Sequence, residues 1–151
     1  VDRVYDVARS QQVRVSVERL DEPPLIAGDS SLLMRAIANL LDNAIRYSPK
    51  SGVVRCSIRL KERSEAATCD YLECTVADQG PGIPPERLAA LFQRFGPNDP
   101  SKELSAGLGL AFVKRAVDLM GGSITLESAT GGTTFVVAFP VAVSPESIDP
   151  A

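Results

Sequence analysis

The hydrophobic residues of this 151-residue chain follow two different periods, and the way the two alternate limits the fold. A period of about 3.6 residues indicates an amphipathic helix, whereas strict alternation indicates a half-buried strand. Runs of strands are interleaved with helices, without the regular alternation of a Rossmann domain. We therefore predict an α+β fold, a two-layer α/β sandwich with helices on one sheet face. The predicted helices are 1–10, 31–47, 84–95 and 108–120, and the predicted strands are 13–19, 53–60, 71–77, 123–128 and 133–139.

Length and composition indicate one globular domain. Hydrophobic residues make up 44% of the chain, which is enough for one core. The net charge of −3, without a clustered basic surface, argues against nucleic-acid binding. No run approaches the ~20 apolar residues of a membrane helix, and no secretory signal is visible, so we expect a cytoplasmic domain without direct membrane contact. We predict that the domain spans 1–140 and that 141–151 form a disordered tail.

Histidine is absent from the sequence, and the cysteines are scattered. The absence of histidine excludes a Ser-His-Asp or Cys-His catalytic arrangement within the chain. Cys56, Cys69 and Cys74 have no C-x-x-C spacing and lack a fourth ligand, so we do not expect a zinc site. We interpret them as unpaired thiols of a reducing compartment.

A polar face runs along the predicted helix 31–47. Asn39, Asn43 and Arg46 recur at spacings of four and three residues, which places them on one side of the helix. An amide oxygen is a hard neutral ligand that suits Mg²⁺, and an arginine one turn further on can bind phosphate bidentately. The alternative is an ordinary solvated face. Asparagine is a poor helix former, however, so two of them inside a strong helix indicate a use for their amides.

A glycine-rich turn follows directly on the predicted strand 71–77. Its glycines, Gly80 and Gly82, allow the backbone to approach a ligand closely. The carboxylate of Asp78 can accept a hydrogen bond from an amine such as that of adenine, and Ile83 would supply an apolar wall for the ring. The alternative is a tight turn with an exposed aspartate, and the turn by itself leaves both interpretations open.

A second pair of glycines lies where a loop is predicted to become a helix. In Gly107-Leu108-Gly109-Leu110, free backbone N–H groups and the helix dipole would form an anion site. The segment is neither a P-loop nor a dinucleotide fingerprint, because the G-K-[ST] sequence is absent and no strand directly precedes it. The alternative is a flexible hinge with close helix packing.

Taken together, the motifs resemble the ATP-binding catalytic domain of sensor histidine kinases. The resemblance covers about residues 1–140, and five motifs in the right order are far more specific than any one of them. The segments are 39–47 (NLLDNAIRY), similar to the N box; 78–82 (DQGPG), the G1 box; 91–95 (LFQRF), the F box; 107–110 (GLGL), the G2 box; and 127–135 (ESATGGTTF), the closing glycine box.

The resemblance implies a fold, cofactors and residue roles. The family belongs to a wider ATPase superfamily with gyrase and the ninety-kilodalton heat-shock chaperones, whose Bergerat-type fold packs a mixed sheet of about five strands against three helices. It implies ATP and Mg²⁺ as ligands, with residues 96–106 as a lid over the nucleotide. The implied roles are Mg²⁺ coordination by Asn43 with help from Asn39; contact with phosphate, ribose or base by Arg46 and Tyr47; adenine binding by Asp78 with Gly80, Gly82, Ile83 and Thr133; and phosphate binding by Gly107, Leu108, Gly109 and Leu110. Arg94 and Lys102 are candidate cations for the γ-phosphate, and the alternative is that both are solvated lid residues.

The sequence departs from the family pattern in the lid. Ser105 stands where the family usually has a glycine, and Gly96-Pro97 replaces an aromatic–arginine pair. At the first N-box position the chaperone and gyrase relatives carry a glutamate that activates water. The present residue is Asn39, which favours transfer to a partner over hydrolysis.

We therefore expect a kinase domain that phosphorylates a histidine on a separate dimerisation and phosphoacceptor domain, with a response regulator downstream. The parent protein could be a membrane-anchored sensor. Two alternatives remain open on the sequence. One is a serine kinase of the anti-sigma-factor type, and the other is a non-catalytic docking module that retains a nucleotide pocket.

Overall fold

The computed structural model describes residues 2–66, 69–82, 105–129 and 131–142. Within these ranges the chain forms three helices and five strands. The predicted helix 84–95 and the tail 144–151 lie outside the described residues. In chain order the elements are α1 (Asp2–Ser10), β1 (Arg14–Glu18), α2 (Ser30–Tyr47), β2 (Val53–Lys61), β3 (Tyr71–Ala77), α3 (Ser105–Leu119), β4 (Ser123–Ala129) and β5 (Gly132–Pro140).

The strands form one mixed five-stranded sheet in the order β1-β2-β3-β5-β4. β1 pairs with β2 in parallel, and the other three pairs are antiparallel. The predicted hairpin of β2 and β3 is confirmed, with Cys56 opposite Val76. The prediction of a mixed five-stranded sheet with three helices is confirmed as well.

The core lies between the helices and one face of the sheet. Strand β5 shows why, because Thr133, Phe135, Val137 and Phe139 are buried while the residues between them are only half-buried. This alternation is that of a strand with one face turned to a core. The largest side chains with essentially no exposure are Leu40, Ile45, Val54, Val76, Val113, Val117 and Val137.

Helix α2 begins and ends where its local chemistry requires. The Asp29 carboxylate accepts hydrogen bonds from the N–H groups of Ser31 (2.8 Å) and Leu32 (3.4 Å), which caps the first turn. Ser48 is extended and precedes a proline, so the helix does not continue beyond Tyr47.

Helix α3 begins at Ser105, three residues before the predicted start at 108. Its other end is a glycine cap. Gly121 has a φ of 69°, its N–H donates to the Asp118 carbonyl (3.1 Å), and the Gly122 N–H donates to the Val117 carbonyl (2.9 Å). This pair of bonds is a Schellman motif, which satisfies two carbonyls of the last turn.

The chain remains bonded to the sheet two residues beyond the predicted domain end at 140. The N–H of Val141 donates to the Asp70 carbonyl (2.9 Å), and the N–H of Ala142 donates to the Leu25 carbonyl (2.8 Å). Ile26, in the short segment 25–27, forms an isolated antiparallel bridge with Val141. Residues 141 and 142 therefore belong to the fold rather than to the predicted tail.

The three cysteines are free, as predicted. The sulfur atoms of Cys56 and Cys74 lie 4.0 Å apart in the core, well beyond the ~2.05 Å of a disulfide bond. These two residues serve as small apolar side chains of β2 and β3.

Candidate nucleotide-binding site

The Asp78 carboxylate is held in place at the end of β3. One of its oxygens, Oδ1, accepts hydrogen bonds from the N–H of Gly80 (2.9 Å) and the N–H of Thr133 (3.1 Å). The Asp78 N–H donates in turn to the Thr133 carbonyl (2.9 Å), so the turn is tied to β5 from both sides. With Oδ1 engaged in this way, Oδ2 is the oxygen that can accept a hydrogen bond from a ligand amine.

Burial raises the pKa of the Asp78 carboxyl above its ordinary value, because water is removed from around the charge. The two backbone N–H groups, from Gly80 and Thr133, oppose this rise. A half-buried carboxylate with a raised pKa gains more from a ligand donor than a fully hydrated one would.

Glycines allow two close backbone approaches around the Asp78 turn. A Cβ atom on Gly80 would lie 2.5 Å from the Tyr47 carbonyl oxygen, so the turn rests directly on the last residue of α2. A Cβ atom on Gly132 would lie 2.4 Å from the Asp78 carbonyl oxygen. Gly82 has a φ of 83°, which favours glycine. The two approaches explain why glycine stands at positions 80 and 132.

Several hydrogen bonds and contacts around Asp78 were not predicted from the sequence. Gln79 accepts a hydrogen bond from the Val53 N–H (2.9 Å) and so joins the turn to the start of β2. The hydroxyls of Thr133 and Ser128 share a hydrogen bond of 3.0 Å, and Gly132 permits the close strand approach. Only the spacing of the closing glycine motif gave a signal for this region, and nothing in the sequence indicated Gln79.

The two asparagines of α2 differ in burial. Asn43 is 6% exposed, and its Nδ2 atom has no hydrogen-bond partner among the described residues. Asn39, one turn earlier, is half-buried. A buried amide without a partner is costly to the fold, and this cost is a reason to expect a ligand. Its amide oxygen is of the type that Mg²⁺ takes alongside water and phosphate, so the residue fits that ion.

Arg46 and Tyr47 complete the predicted set on α2, and both are exposed. The Arg46 guanidinium lies 3.3 Å from the Asp42 carboxylate, one turn earlier on the same helix. A phosphate would therefore share Arg46 with Asp42. The Tyr47 carbonyl is the group against which Gly80 packs.

The first turn of α3 carries the second pair of glycines. Because α3 begins at Ser105, Gly107 is among the first residues whose N–H groups have no partner within the helix, whereas Gly109 lies past them. The early helix start thus shifts the anion-binding groups toward Gly107 and the residues before it. Leu110 is 4% exposed and belongs to the hydrophobic core, and its place among the ligand-binding residues stays a prediction.

Helices α2 and α3 lie side by side and run antiparallel. The Arg35 guanidinium carbon lies 4.3 Å from the centre of the Phe112 ring. At the other end, a Cβ atom on Gly28 would lie 2.4 Å from the terminal carbon of Met120. Moving four residues forward from Arg35 and four back from Phe112 places Asn39 level with residue 108. The structure therefore places Asn39 of α2 level with the beginning of α3.

The remaining predicted site residues, Ile83, Arg94 and Lys102, lie outside the described residues, as do the F box and most of the predicted lid. Their roles stay predictions. Within the ranges that are described, no three Cys, Asp or Glu side chains are grouped closely enough to hold a metal ion. In the same ranges, no helix is long and apolar enough to cross a membrane.

The fold agrees with what comparisons with known proteins show. Residues 28–143 match the family described as "Histidine kinase-, DNA gyrase B-, and HSP90-like ATPase". The chain belongs to this family, and within it the chain corresponds to the ATP-binding catalytic domain of sensor histidine kinases, as the sequence motifs predicted.

Similar proteins include sensor histidine kinase CusS of Escherichia coli K12, which is 36% identical over 93% of this chain and 29% of its own length. The kinase/phosphatase MprB of Mycolicibacterium vanbaalenii is 33% identical over the whole chain and 31% of its own length. The chain thus spans less than a third of these relatives. A solved structure of mycobacterial MprB has a TM-score of 0.72 and 33% identity, covering 95% of this chain and 93% of that one. The kinase ShkA, solved in complex with AMPPNP, has a TM-score of 0.66 and 25% identity, covering 94% of this chain and 30% of that one.

Proposed function

We propose that the chain binds ATP with Mg²⁺ between α2, the turn after β3 and the first turn of α3, and transfers the γ-phosphoryl group to a histidine of a separate domain. The observation that carries this proposal is the buried Nδ2 atom of Asn43, which has no hydrogen-bond partner among the described residues. A buried polar group without a hydrogen-bond partner stabilises the fold less than an apolar group at the same position would. We therefore infer that the Asn43 amide serves ligand binding.

Asp78 would bind the adenine end of the nucleotide. Its fixed carboxylate can accept a hydrogen bond from the exocyclic amine. Gly80 and Gly132 have no side chain that would fill the space beside the turn. The hydroxyl of Thr133, bonded to Ser128, lies on the same strand end and can hold a bridging water.

Asn43 would hold the metal ion, with Asn39 assisting. A bound Mg²⁺ neutralises charge on the phosphates and leaves most of its coordination to water and phosphate oxygens, which suits a site with neutral amide ligands. The N–H groups at the start of α3 would bind phosphate oxygens. Arg94 and Lys102 are our candidates for contact with the γ-phosphate.

The phosphoryl acceptor has to come from another domain. The sequence contains no histidine, so an imidazole nitrogen of a dimerisation and phosphoacceptor domain would attack the γ-phosphorus, and ADP would leave. Asn39 cannot act as a general base toward water, which favours this transfer over hydrolysis. We infer further that a response regulator takes the phosphoryl group next, and that the domain acts in the cytoplasm.

The test is phosphoryl transfer from labelled ATP in a mixture of this domain with its phosphoacceptor domain. We expect label on the acceptor that is lost in acid, as phosphohistidine is. Asn43→Ala should abolish transfer and nucleotide binding, whereas the control Gln11→Ala, which also truncates an amide, should leave both unchanged. Acid-stable label would indicate a serine acceptor, and absence of ATP binding by the wild type would overturn the proposal.

A further inference from the structure

A contact between a cation and an aromatic ring joins α2 to α3 beside the proposed site. The Arg35 guanidinium carbon lies 4.3 Å from the centre of the Phe112 ring, within the range of a cation–π interaction. Arg35 is exposed and Phe112 is half-buried, so the contact lies at the edge of the core. Burial of the apolar side chains keeps the two helices together, but apolar attraction has no direction and does not fix how far one helix slides along the other.

The position of the contact along both helices gives it a consequence for the site. Arg35 is one turn before Asn39, and Phe112 is three residues after Gly109. Because the helices run antiparallel, holding this pair fixes the first turn of α3 at the level of Asn39. A slide of one residue would displace that turn by about 1.5 Å, which is enough to break a phosphate hydrogen bond.

We propose that Arg35 is a positioning residue for the triphosphate: stacked on Phe112, it sets the axial position of the start of α3 against the amides of α2. The inference rests on the proposed nucleotide site. It assigns Arg35 no contact with the nucleotide. Arginine suits this role better than lysine, because its planar guanidinium stacks on a ring over a wide area while keeping its outer edge in water.

The proposal predicts that loss of the Arg35 contact affects binding of the triphosphate end of the nucleotide and not binding of the adenine end. The adenine end is held by Asp78, whose bonds run to Gly80 and Thr133 and involve neither α2 side chains nor α3. Removal of the stacked cation should therefore weaken ATP binding and leave adenosine binding as it was. A general loosening of the fold would weaken both.

The experiment measures dissociation constants for ATP with Mg²⁺ and for adenosine, by calorimetry or NMR titration, in a double-mutant cycle. We expect Arg35→Gln and Phe112→Leu each to weaken ATP binding about two- to five-fold, as an exposed cation–π contact allows, with no further loss when they are combined. Arg35→Lys should be intermediate. The control Arg59→Gln makes the same change in a surface cation on the sheet, paired with Glu18 at 4.0 Å, and should have no effect.

The outcomes separate this inference from the function on which it rests. Unchanged ATP affinity in Arg35→Gln, equal loss for ATP and adenosine, or strictly additive losses in the cycle would each overturn the positioning role while leaving the nucleotide site intact. A wild-type domain that binds no ATP would overturn both proposals together. Because Arg35 is exposed, we expect all three variants at this contact to fold, which thermal unfolding checks.

Discussion

Two polar side chains of the site are placed at a cost to the fold. Asn43 has a buried Nδ2 without a partner among the described residues, and the charge of Asp78 is partly desolvated. Each arrangement is unfavourable in the ligand-free domain and is relieved by a bound group that donates or accepts at that point. Substitution of these two residues can therefore separate effects on folding from effects on ligand binding.

Replacement of Asp78 by asparagine should show this separation. In Asp78→Asn the side-chain oxygen can still accept from the N–H groups of Gly80 and Thr133, while the desolvated charge is gone. We expect a melting temperature equal to or above that of the wild type, together with loss of adenosine binding. Asp78→Ala is the contrasting variant, because it leaves two part-buried N–H groups without an acceptor at a cost of about 1–3 kcal/mol. Unchanged adenosine affinity in Asp78→Asn would contradict the role assigned to this carboxylate.

The raised pKa of Asp78 predicts how binding depends on pH. In the proposed site the charged form accepts the adenine amine, so adenosine affinity should fall as the pH is lowered through a value above the ordinary 3.8. Since the folded chain holds this proton more tightly than the unfolded chain, the contribution of the group to stability should decline as pH rises from 3.8 to the folded pKa. Titration of adenosine binding from pH 4 to 7, with unfolding measured in parallel, checks both signs. Affinity that falls only at or below the ordinary value would contradict the prediction.

Residue identities were more predictable than residue environments. The sequence pointed to Asn43, Asp78 and Thr133, because their types and spacing carry the chemistry. It did not show that Asn43 is buried, that Leu110 lies in the core, or that Gln79 bonds to β2, since these depend on which elements pack together. Long-range contacts of this kind leave no periodic pattern in a single sequence.

At the scale of the elements, the ends of helices are set by a few backbone groups. The predicted start of α3 was wrong by three residues, because two glycines close together suggest a loop although the backbone is helical there. The predicted end was confirmed, since a glycine pair after an apolar helix is a specific capping signal.

The two glycines of this cap should respond differently to alanine. Gly121 is in the left-handed region, but a Cβ atom there meets nothing closer than Pro140 at 3.9 Å, so Gly121→Ala should cost about 1 kcal/mol of conformational strain. At Gly122 the added atom would lie 2.4 Å from the Ala138 carbonyl oxygen and must displace backbone, so Gly122→Ala should cost more. Urea unfolding of both variants measures the difference, and the reverse order would contradict the close approach of Gly122 to the backbone of β5.

At the scale of the whole molecule, the sequence predicted which elements exist but not how they pair. Hydrophobic alternation identified every strand, and the fold class followed from their mixture with helices. The hydrophobic pattern did not reveal that β5 lies between β3 and β4, or that β1 pairs in parallel with β2. Pairing depends on which edges remain open once the helices cover the sheet, which is a property of the assembled domain.

Nucleotide binding should stabilise the entire domain. A ligand that binds only the folded state at 100 times its dissociation constant adds about 2.7 kcal/mol, which for a domain of this size corresponds to roughly 5–10 °C in melting temperature. We expect this shift with ATP and Mg²⁺, and not with GTP, whose ring carries an oxygen where adenine presents its amine to Asp78. Asn43→Ala should remove the shift. An equal shift with GTP would contradict recognition of the base by Asp78.

The contact between Gly80 and the Tyr47 carbonyl has a consequence for how the domain can respond to its ligand. The turn that we propose for the base and the helix that we propose for the metal touch through backbone atoms, with no side chain between them that could change rotamer. These two parts of the site therefore move as one body. Any adjustment to a longer or shorter polyphosphate falls on α3, the partner that meets them through side chains.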